Sequence, residues 1–291
     1  MITKPISHRA LLCLPVILFL LISFSSCKRD DTNKPALTLK LSNATYNWGD
    51  LTLSKPIQSD EVKYNTTGNI GRVITTDNNG NTLSDISLTY SGNKITLNTQ
   101  YNDEYDLDNS GKVVYHSLHD VQQGHNIVEI ERYSYDNADY LNKITMSLIF
   151  DDGPETFYSQ IDYVVQNGNY TKFTLSNTDS GTVTRQYVFK YNNGKKVSTP
   201  VSFFAPVFAN NSQSNIDKYL NYGKSSVNLL TEVNYTILNL DKKISTGTFN
   251  VATNVDPYGY ITSLNLVGND VSGLPSDNIS PLPRSVNFIL K

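Results

Sequence analysis

Apolar and polar residues alternate with a period of two along most of this chain. In residues 183–191, Val183, Tyr187, Phe189 and Tyr191 share one parity, and Thr184, Gln186 and Lys190 have the other. Residues 144–150 and 233–237 repeat the pattern. Alternation of this kind is typical of strands with one buried and one solvated face. The pattern therefore predicts antiparallel β-sheet.

The segment that follows Asn126 has the same period but carries acidic residues. Val128 and Ile130 alternate with Glu129 and Glu131. Since apolar side chains belong on the buried face of a strand, this segment predicts Val128 and Ile130 inside and both glutamates in water.

Turn sequences rich in Asn, Asp and Gly separate the alternating segments. A Tyr or apolar strand end is followed by two to four such residues, then by Lys or a polar residue, then by a β-branched one. These turns accept positive φ angles at little cost and are strong hairpin signals. A sheet of hairpins over some 250 residues must curl, close or split to protect its edges. We therefore expect an all-β chain, an antiparallel meander of hairpins that forms a curled or barrel-like sheet. Units of this kind begin at Tyr64, Asp77, Tyr90, Tyr105, Tyr133, Val165, Phe189 and Val255.

One stretch, residues 202–222, departs from the alternation. It begins with clustered Phe and Pro residues, and Ser214 can then cap a short helix that contains Ile216, Tyr219 and Leu220. We predict one short helical insertion near residues 211–222, which packs its aromatic side chains on the sheet as a plug.

The N-terminus has the three parts of a secretory signal. Basic residues precede an apolar run of 13 residues (10–22), and small residues follow it. The run is shorter than the roughly 20 residues that a spanning helix needs. The segment Leu21–Cys27 resembles the lipobox of bacterial lipoproteins, with Phe24 where a small or aliphatic residue is usual. The resemblance implies cleavage of residues 1–26 and lipidation of Cys27. An uncleaved membrane anchor, or a cleaved Cys27 without lipid, are the alternatives.

Processing would leave a tether (27–38) and a single β-rich domain (39–291). Removing Lys4 and Arg9 leaves 22 basic against 27 acidic residues, so the net charge changes from −3 to −5. Cys13 would leave with the signal and Cys27 would carry lipid, so disulfides and thiolate sites are not expected in the domain. The acidic pI and the lack of a Lys/Arg block argue against nucleic-acid binding.

The location follows from the same resemblance. Residue 28 is Lys, so the Asp that retains many lipoproteins in the inner membrane is absent. Residues 28–31 resemble the short charged export signals of surface lipoproteins in Bacteroidetes, which are usually more acidic. We expect a lipid anchor in the outer membrane, with the cell surface slightly favoured over the periplasmic face.

The repeated Tyr-x-Asx-x-x-Gly-x-[Val/Ile] units also resemble degenerate YD-type repeats. Together with the segments 217–230 and 256–260 and the lipoprotein signal, they resemble Bacteroidetes lipoproteins that carry a domain of unknown function described as porin-like in fold. The resemblance covers about residues 40–291. It implies a curled antiparallel β architecture and brings no established activity.

Three places carry candidate chemistry. Asp106, Asp108 and Ser110, followed by Gly111, fit the first half of a calcium loop, but position 12 is Ser117 instead of a bidentate Glu. Calcium is therefore a minor alternative to a plain hairpin turn, and no other cofactor is expected.

Three histidines, His116, His119 and His125, lie within ten residues of one another. Strand positions 116 and 119 point to opposite faces, so a shared metal would need a bulge or loop.

Three carboxylates, Asp151, Asp152 and Glu155, gather at one Gly-Pro turn. Paired carboxylates can hydrolyse glycosides, so these residues define an alternative in which the chain is an exported glycan hydrolase. A structural turn is the simpler reading. The chain lacks a Gly-x-Ser-x-Gly elbow, a phosphate loop and a His-Glu-x-x-His motif.

Three functions remain open from the sequence. The first is a lipid-anchored lipoprotein without enzymatic activity, a binding or structural β-domain whose ligand is a glycan or a protein. The second is the glycan hydrolase. The third is an outer-membrane β-barrel, which would need an apolar outer band flanked by aromatic girdles.

Overall fold

The computed structural model describes residues 39–47, 57–177, 182–199, 216–239, 242–267 and 285–291. Residues 40–291 form one compact unit. The predicted signal peptide, the whole predicted tether with Cys27, and the predicted cap Ser214 lie outside the described residues.

Sixteen β-strands account for nearly all of the described residues. They are β1 (Leu41–Asn47), β2 (Ile57–Tyr64), β3 (Ile70–Asp77), β4 (Thr82–Ser91), β5 (Lys94–Asn98), β6 (Asn102–Leu107), β7 (Val113–Gln122), β8 (His125–Tyr135), β9 (Leu141–Phe150), β10 (Thr156–Gln166), β11 (Asn169–Asn177), β12 (Val183–Lys196), β13 (Asn228–Asn239), β14 (Lys242–Val255), β15 (Ile261–Val267) and β16 (Ser285–Leu290).

The strands form a closed antiparallel barrel. Each strand pairs with its neighbours in sequence, and β1 pairs with β16, where Tyr46 lies opposite Val286 and Ala44 opposite Phe288. Closure removes the sheet edges that a meander of this length would otherwise expose. The predicted fold class is confirmed, and the curled sheet is a complete ring.

The barrel has two ends. At the tether end the chain enters β1 at Leu41 and leaves β16 at Leu290, and backbone bonds join Lys40 to Lys291 in both directions at 2.8 Å. The far end carries the turns that lead into β4, β6, β8 and β10.

Five hairpin turns share one geometry, which explains the Asx-rich pattern. In each, the side-chain Oδ1 of the first residue accepts the backbone N–H groups of the third and fifth residues. The fourth residue has positive φ, and it is Gly in four of them and Asp139 (φ 68°) in the other. Asn and Asp are favoured at such turns because their side chains bond the backbone two residues on. The turns are 65–69, 77–81, 108–112, 136–140 and 256–260.

The predicted turn at Asn192–Gly194 is absent. Strand β12 continues to Lys196, and its pairing with β13 changes register between Asn192 and Lys196. Asn192 Oδ1 accepts the N–H of Gly194 at 3.1 Å, so the Asx contact is made, but it forms a bulge instead of reversing the chain.

The inner wall of the barrel is apolar and aromatic. Its side chains are almost completely buried around the ring, and the cluster includes Val73, Ile95, Tyr105, Leu141, Ile144, Ile161, Phe173, Tyr187, Val233 and Val286. A round 16-stranded barrel lined by polar residues would hold an aqueous channel. Here the inner wall is packed.

The outer wall is polar. Thr, Ser, Asn and charged residues fill the outward positions of most strands, and ion pairs connect adjacent strands across it. Lys94 lies 2.7 Å from Glu104, and Lys190 lies 2.7 Å from Glu232. Other outward pairs are Arg72–Asp85, Lys143–Asp162 and Arg132–Glu155.

An aromatic row, Tyr163, Phe173, Tyr187, Tyr235 and Phe249, crosses the five neighbouring strands β10–β14 of the inner wall. Phe173 and Tyr187 stack at 4.6 Å between centroids, and Tyr235 and Phe249 stack at 5.4 Å. Gly247 lies opposite Tyr235, whose ring covers it so closely that an added Cβ would stand 2.3 Å from Tyr235 Cε1. The missing side chain of Gly247 thus makes room for the row.

The predicted helical insertion is a single 3-10 turn, Asp217–Tyr219, within the described residues. Leu220 is already extended, so the helix does not reach Gly223. The prediction that the insertion packs aromatic side chains on the sheet is confirmed, because Tyr219 and Tyr222 contact inner-wall residues.

Candidate functional site

A network of ionisable side chains lies inside the apolar barrel, centred on His116. Its Nε2 lies 2.9 Å from Asp103 Oδ1, and its Nδ1 lies 3.2 Å from Glu131 Oε2. Strands β6, β7 and β8 supply these three residues, which occupy neighbouring positions on the inner wall. Tyr133 donates to Glu131, and the ring of Tyr105 stacks on His116 at 4.2 Å.

His116 is positively charged in this setting. Burial alone would lower its pKa, but hydrogen bonds to Asp103 and Glu131 outweigh burial and raise the pKa to about 10. All three side chains are at most 10% exposed. Two carboxylates from different strands thus converge on one imidazolium, in a place that a substrate could not reach without rearrangement.

The alternation on β8 predicted the wrong face for this strand. Glu131 points into the barrel toward His116, while Ile130 lies on the outer wall between Ser117 and Ser147. Ile130 is 4% exposed yet lies outside the core cluster. The inward glutamate is favoured by its hydrogen bonds with His116 and Tyr133, which replace the water that a buried carboxylate loses.

A second polar network joins the 3-10 turn to strands β1, β2 and β3. Lys218 Nζ lies 2.8 Å from Asp60 Oδ2, and their side chains are 11% and 1% exposed. Asp60 also accepts from Thr75 at 2.7 Å and from Tyr219, and Lys218 lies 3.9 Å above the ring centroid of Tyr46. Burial lowers the pKa of Lys218, but Tyr46 and Asp60 outweigh it and the pKa is raised.

We name residues 216–228 the closing segment, because they cover the tether end of the barrel. Asp217 accepts from Tyr105 at 2.6 Å and from Tyr222 at 3.3 Å, so the segment contacts β6 as well as β2. Backbone bonds also tie it to three hairpins, from Val113 to Asn221, from Lys224 to Asp139 and from Val227 to Gly168, at 2.9 to 3.0 Å.

The far end of strands β7–β10 carries exposed apolar side chains, and we call this group the lip. Val121 is 66% exposed, Phe150 48%, Phe157 47% and Tyr158 40%. They are four of the nine large apolar side chains that are exposed within the described residues. Phe157 occupies an outward position opposite Ser147, and a bulge places Tyr158 beside it.

Acidic side chains border the lip. Glu129 is exposed and makes no hydrogen bond or ion pair with any described residue. Burial by the surrounding wall, followed by the charges of Glu131 and Asp120, raises the pKa of Glu129, although the charge of His116 acts in the opposite direction. Burial together with Glu129 and Glu131 raises the pKa of Tyr158 to about 12. Basic groups lie there as well, because Arg132 is 5.8 Å from the ring centroid of Phe157 and the ring centroids of His125 and Phe150 are 4.7 Å apart.

The residues of the predicted calcium loop belong to a hairpin turn. Asp108 Oδ1 accepts the N–H groups of Ser110 and Lys112 and the Ser110 hydroxyl. Asp106 is on the outer wall, 4.0 Å from Lys94. Within the described residues, no group of three or more His, Cys, Asp or Glu is arranged to hold a metal ion. Calcium binding stays a prediction, without support from this geometry.

The three histidines are separated. His116 is inside the barrel, His119 is exposed, and His125 lies at the far end, where its Nδ1 contacts Asp151. The prediction that residues 116 and 119 face opposite sides is confirmed.

The carboxylates proposed for hydrolysis have different partners. Asp151 binds His125 and the N–H of Asn126, and the contact with His125 lowers its pKa. Glu155 binds Arg132 and Ser147, which lower its pKa. A general acid needs a raised pKa, so neither residue has the environment of one.

Sequence reasoning missed Asp103, Glu131 and Asp60 as inner-wall residues. A signal was available, because Asp103 and Glu131 each precede by two positions a Tyr that faces inward, and strand residues two apart share a face.

The fold is similar to that of known barrels. A porin-like protein from Bacteroides uniformis ATCC 8492 matches with a TM-score of 0.59 and 15% identity, over 86% of this chain and 98% of that one. A porin-like protein from Bacteroides vulgatus ATCC 8482 matches with a TM-score of 0.55 and 13% identity, over the same shares. No family model and no curated protein matches the chain. At these identities the likeness shows the fold alone.

Proposed function

We propose that this chain is an exported, lipid-anchored β-barrel that stands in water at the outer membrane and acts as a binding module. The observation that carries the proposal is the polarity of the two walls. The outer wall carries inter-strand ion pairs such as Lys94–Glu104 and Lys190–Glu232, which would lose their hydration in lipid. Lys and Arg side chains facing lipid cost about 2–4 kcal/mol each at the bilayer midplane.

The inner wall supports the same proposal. A porin needs a polar, water-filled lumen, whereas Tyr187, Phe173 and Ile161 line this one and are at most 2% exposed. No helix within the described residues is long and apolar enough to cross a membrane. A lipid at Cys27 would supply the anchor that neither wall provides, since each buried methylene of an acyl chain adds about 0.8 kcal/mol to the free energy of membrane binding.

The anchor is tested by metabolic labelling with a radioactive fatty acid in the native host, using the parent chain and Cys27→Ala. We expect label in the outer-membrane fraction of the parent and none in the variant. Label on both chains, or on neither, would contradict the anchor.

The proposal that the outer wall faces water needs a separate test. We expect residues 28–291 to remain in solution as a monomer without detergent and to give no conductance steps in a planar bilayer. A chain that stays in solution only in detergent, and that conducts, would favour the other candidate.

That second candidate is an outer-membrane barrel with its wall in lipid. The 16-strand closed ring favours it, as does the description of the two similar structures as porin-like. The solubility and conductance measurements separate the two candidates.

A further inference from the structure

We propose that the tether end of the barrel rests on a lipid surface that carries anionic headgroups. The contact is made by Lys195, Lys196, Lys224, Val227 and Tyr258, which we call the tether-end patch. All five side chains are exposed, Val227 by 37% and Tyr258 by 61%. The proposal deepens the proposed function by naming the surface that the barrel meets, and it rests on the lipid anchor at Cys27.

Backbone hydrogen bonds join the three segments of the tether-end patch into one surface. The N–H of Val197 donates to Val227 at 3.0 Å, and the N–H of Ser198 donates to Gly259 at 2.8 Å. Residues 195–198 therefore lie between the closing segment and the turn 256–260. This arrangement presents the basic and the apolar side chains of the patch together.

The lysines of the tether-end patch have charge to spare. Within the part of the chain that the structure describes, Lys195, Lys196 and Lys224 form no ion pair. The charge of Lys224 acts on Asp139, but Asp139 is already paired with Lys112 at 2.6 Å. Anionic headgroups would therefore supply partners that the barrel itself does not provide.

The carboxylates of the chain do not cancel this charge. Asp256 lies within the patch segments, and its Oδ1 accepts two N–H groups of the turn 256–260. The other acidic turns of this end, 108–112 and 136–140, belong to β6–β9, whereas the patch lies at β12–β15. The acidic residues of the far end are about 25 Å away for tilted ten-residue strands, more than two Debye lengths at about 0.1 M salt.

The predicted anchor brings a lipid surface to the same end. The chain enters the barrel at Lys40, 13 residues after Cys27, and that length reaches about 45 Å at most. In the ring, β1 is separated from β15 and the turn 256–260 only by β16. Each Lys near an anionic surface raises binding about fivefold, and Tyr is favoured at membrane–water interfaces. The patch thus matches the surface to which the anchor would hold it.

The test uses residues 27–291 with Cys27→Ser, so that no acyl chain contributes to binding. Flotation measures the binding of this parent to vesicles of phosphatidylcholine, with and without phosphatidylglycerol. Lys195→Gln/Lys196→Gln and Tyr258→Ser are the patch variants. Lys63→Gln/Lys190→Gln is the control of equal charge change, because both lysines are exposed on the outer wall, by 47% and 62%.

We expect the parent to bind the vesicles that contain phosphatidylglycerol and to leave the neutral ones free. The double variant Lys195→Gln/Lys196→Gln should weaken binding about 25-fold, and the control about threefold or less. Tyr258→Ser should also weaken binding, and salt of about 0.5 M should release the chain. Absent binding to the anionic vesicles, or equal losses in the patch and control double variants, would overturn the proposal.

The proposed function fails in a different way. Equal binding to both kinds of vesicle that resists salt is expected of a barrel whose wall enters lipid, and it would overturn the water-exposed wall together with the tether-end patch. Loss of the fatty-acid label would remove the anchor alone, since the vesicle measurement uses a chain without it.

Discussion

Replacing Lys218 by Met would leave the carboxylate of Asp60 buried without its cation. The two groups are 2.8 Å apart, and Asp60 is 1% exposed. Removing one partner of a buried ion pair costs about 3–5 kcal/mol. Asp60 keeps its hydrogen bonds from Thr75 and Tyr219, so we expect a loss near the lower end, about 3 kcal/mol, in the free energy of unfolding. Urea unfolding of residues 28–291, followed by circular dichroism, measures this loss.

Lys63→Met is the matched control for this prediction. Lys63 pairs with Glu61 at 3.2 Å on the outer wall, where both side chains are about half exposed. Pairs of this kind contribute about 0–1 kcal/mol. The double variant Asp60→Asn/Lys218→Met removes the orphaned charge and should recover part of the loss. Equal effects of Lys218→Met and Lys63→Met, or no recovery in the double variant, would refute the reasoning.

Three further changes test the inner wall and the turns. Gly247→Val should lower the free energy of unfolding by about 1–3 kcal/mol, because the Val side chain would overlap the aromatic ring of Tyr235. The control, Gly194→Ala in the β12 bulge, should change it little in the same urea titration. The pKa of His116 is raised to about 10 in the folded chain, whereas the unfolded value is about 6.5. The contribution of charged His116 to the free energy of unfolding is therefore complete below pH of about 6.5 and is lost as the pH rises toward 10. The parent stability should fall across that window, His116→Gln should remove the slope, and an unchanged slope would contradict the assignment. Asp136→Ala removes the acceptor of two turn N–H groups and should lower the unfolding free energy by about 1–2 kcal/mol, so an unchanged unfolding curve would show that the turn does not depend on it.

Local patterns in the sequence are enough to predict the strands and most of the turns. Alternation identifies the inner face of β12 and β13, and Asx-rich segments such as 77–81 become hairpins. The ring itself is not predictable in this way, because it closes through pairing of β1 with β16, and no local signal connects residues 240 positions apart.

The candidate site was harder to predict than the fold. Hydrophobic alternation assigns Glu131 to water, and only the positions of His116 and Tyr133 in the folded barrel make an inward carboxylate favourable. The contact between Lys218 and Asp60 joins residues far apart in sequence, and neither residue stands in a recognisable motif.

The central claim, that the polar wall faces water and the apolar wall faces inward, is tested most directly by thiol labelling on isolated membranes. The processed chain is expected to carry no free thiol, so single cysteines can replace Thr96, Gln186 or Thr248 on the outer wall and Ile95 or Val233 on the inner wall. In membranes isolated with the protein attached, a water-soluble maleimide should label all three outer positions and neither inner one. Protection of the outer positions together with labelling of the inner ones would contradict the account and place the wall in lipid.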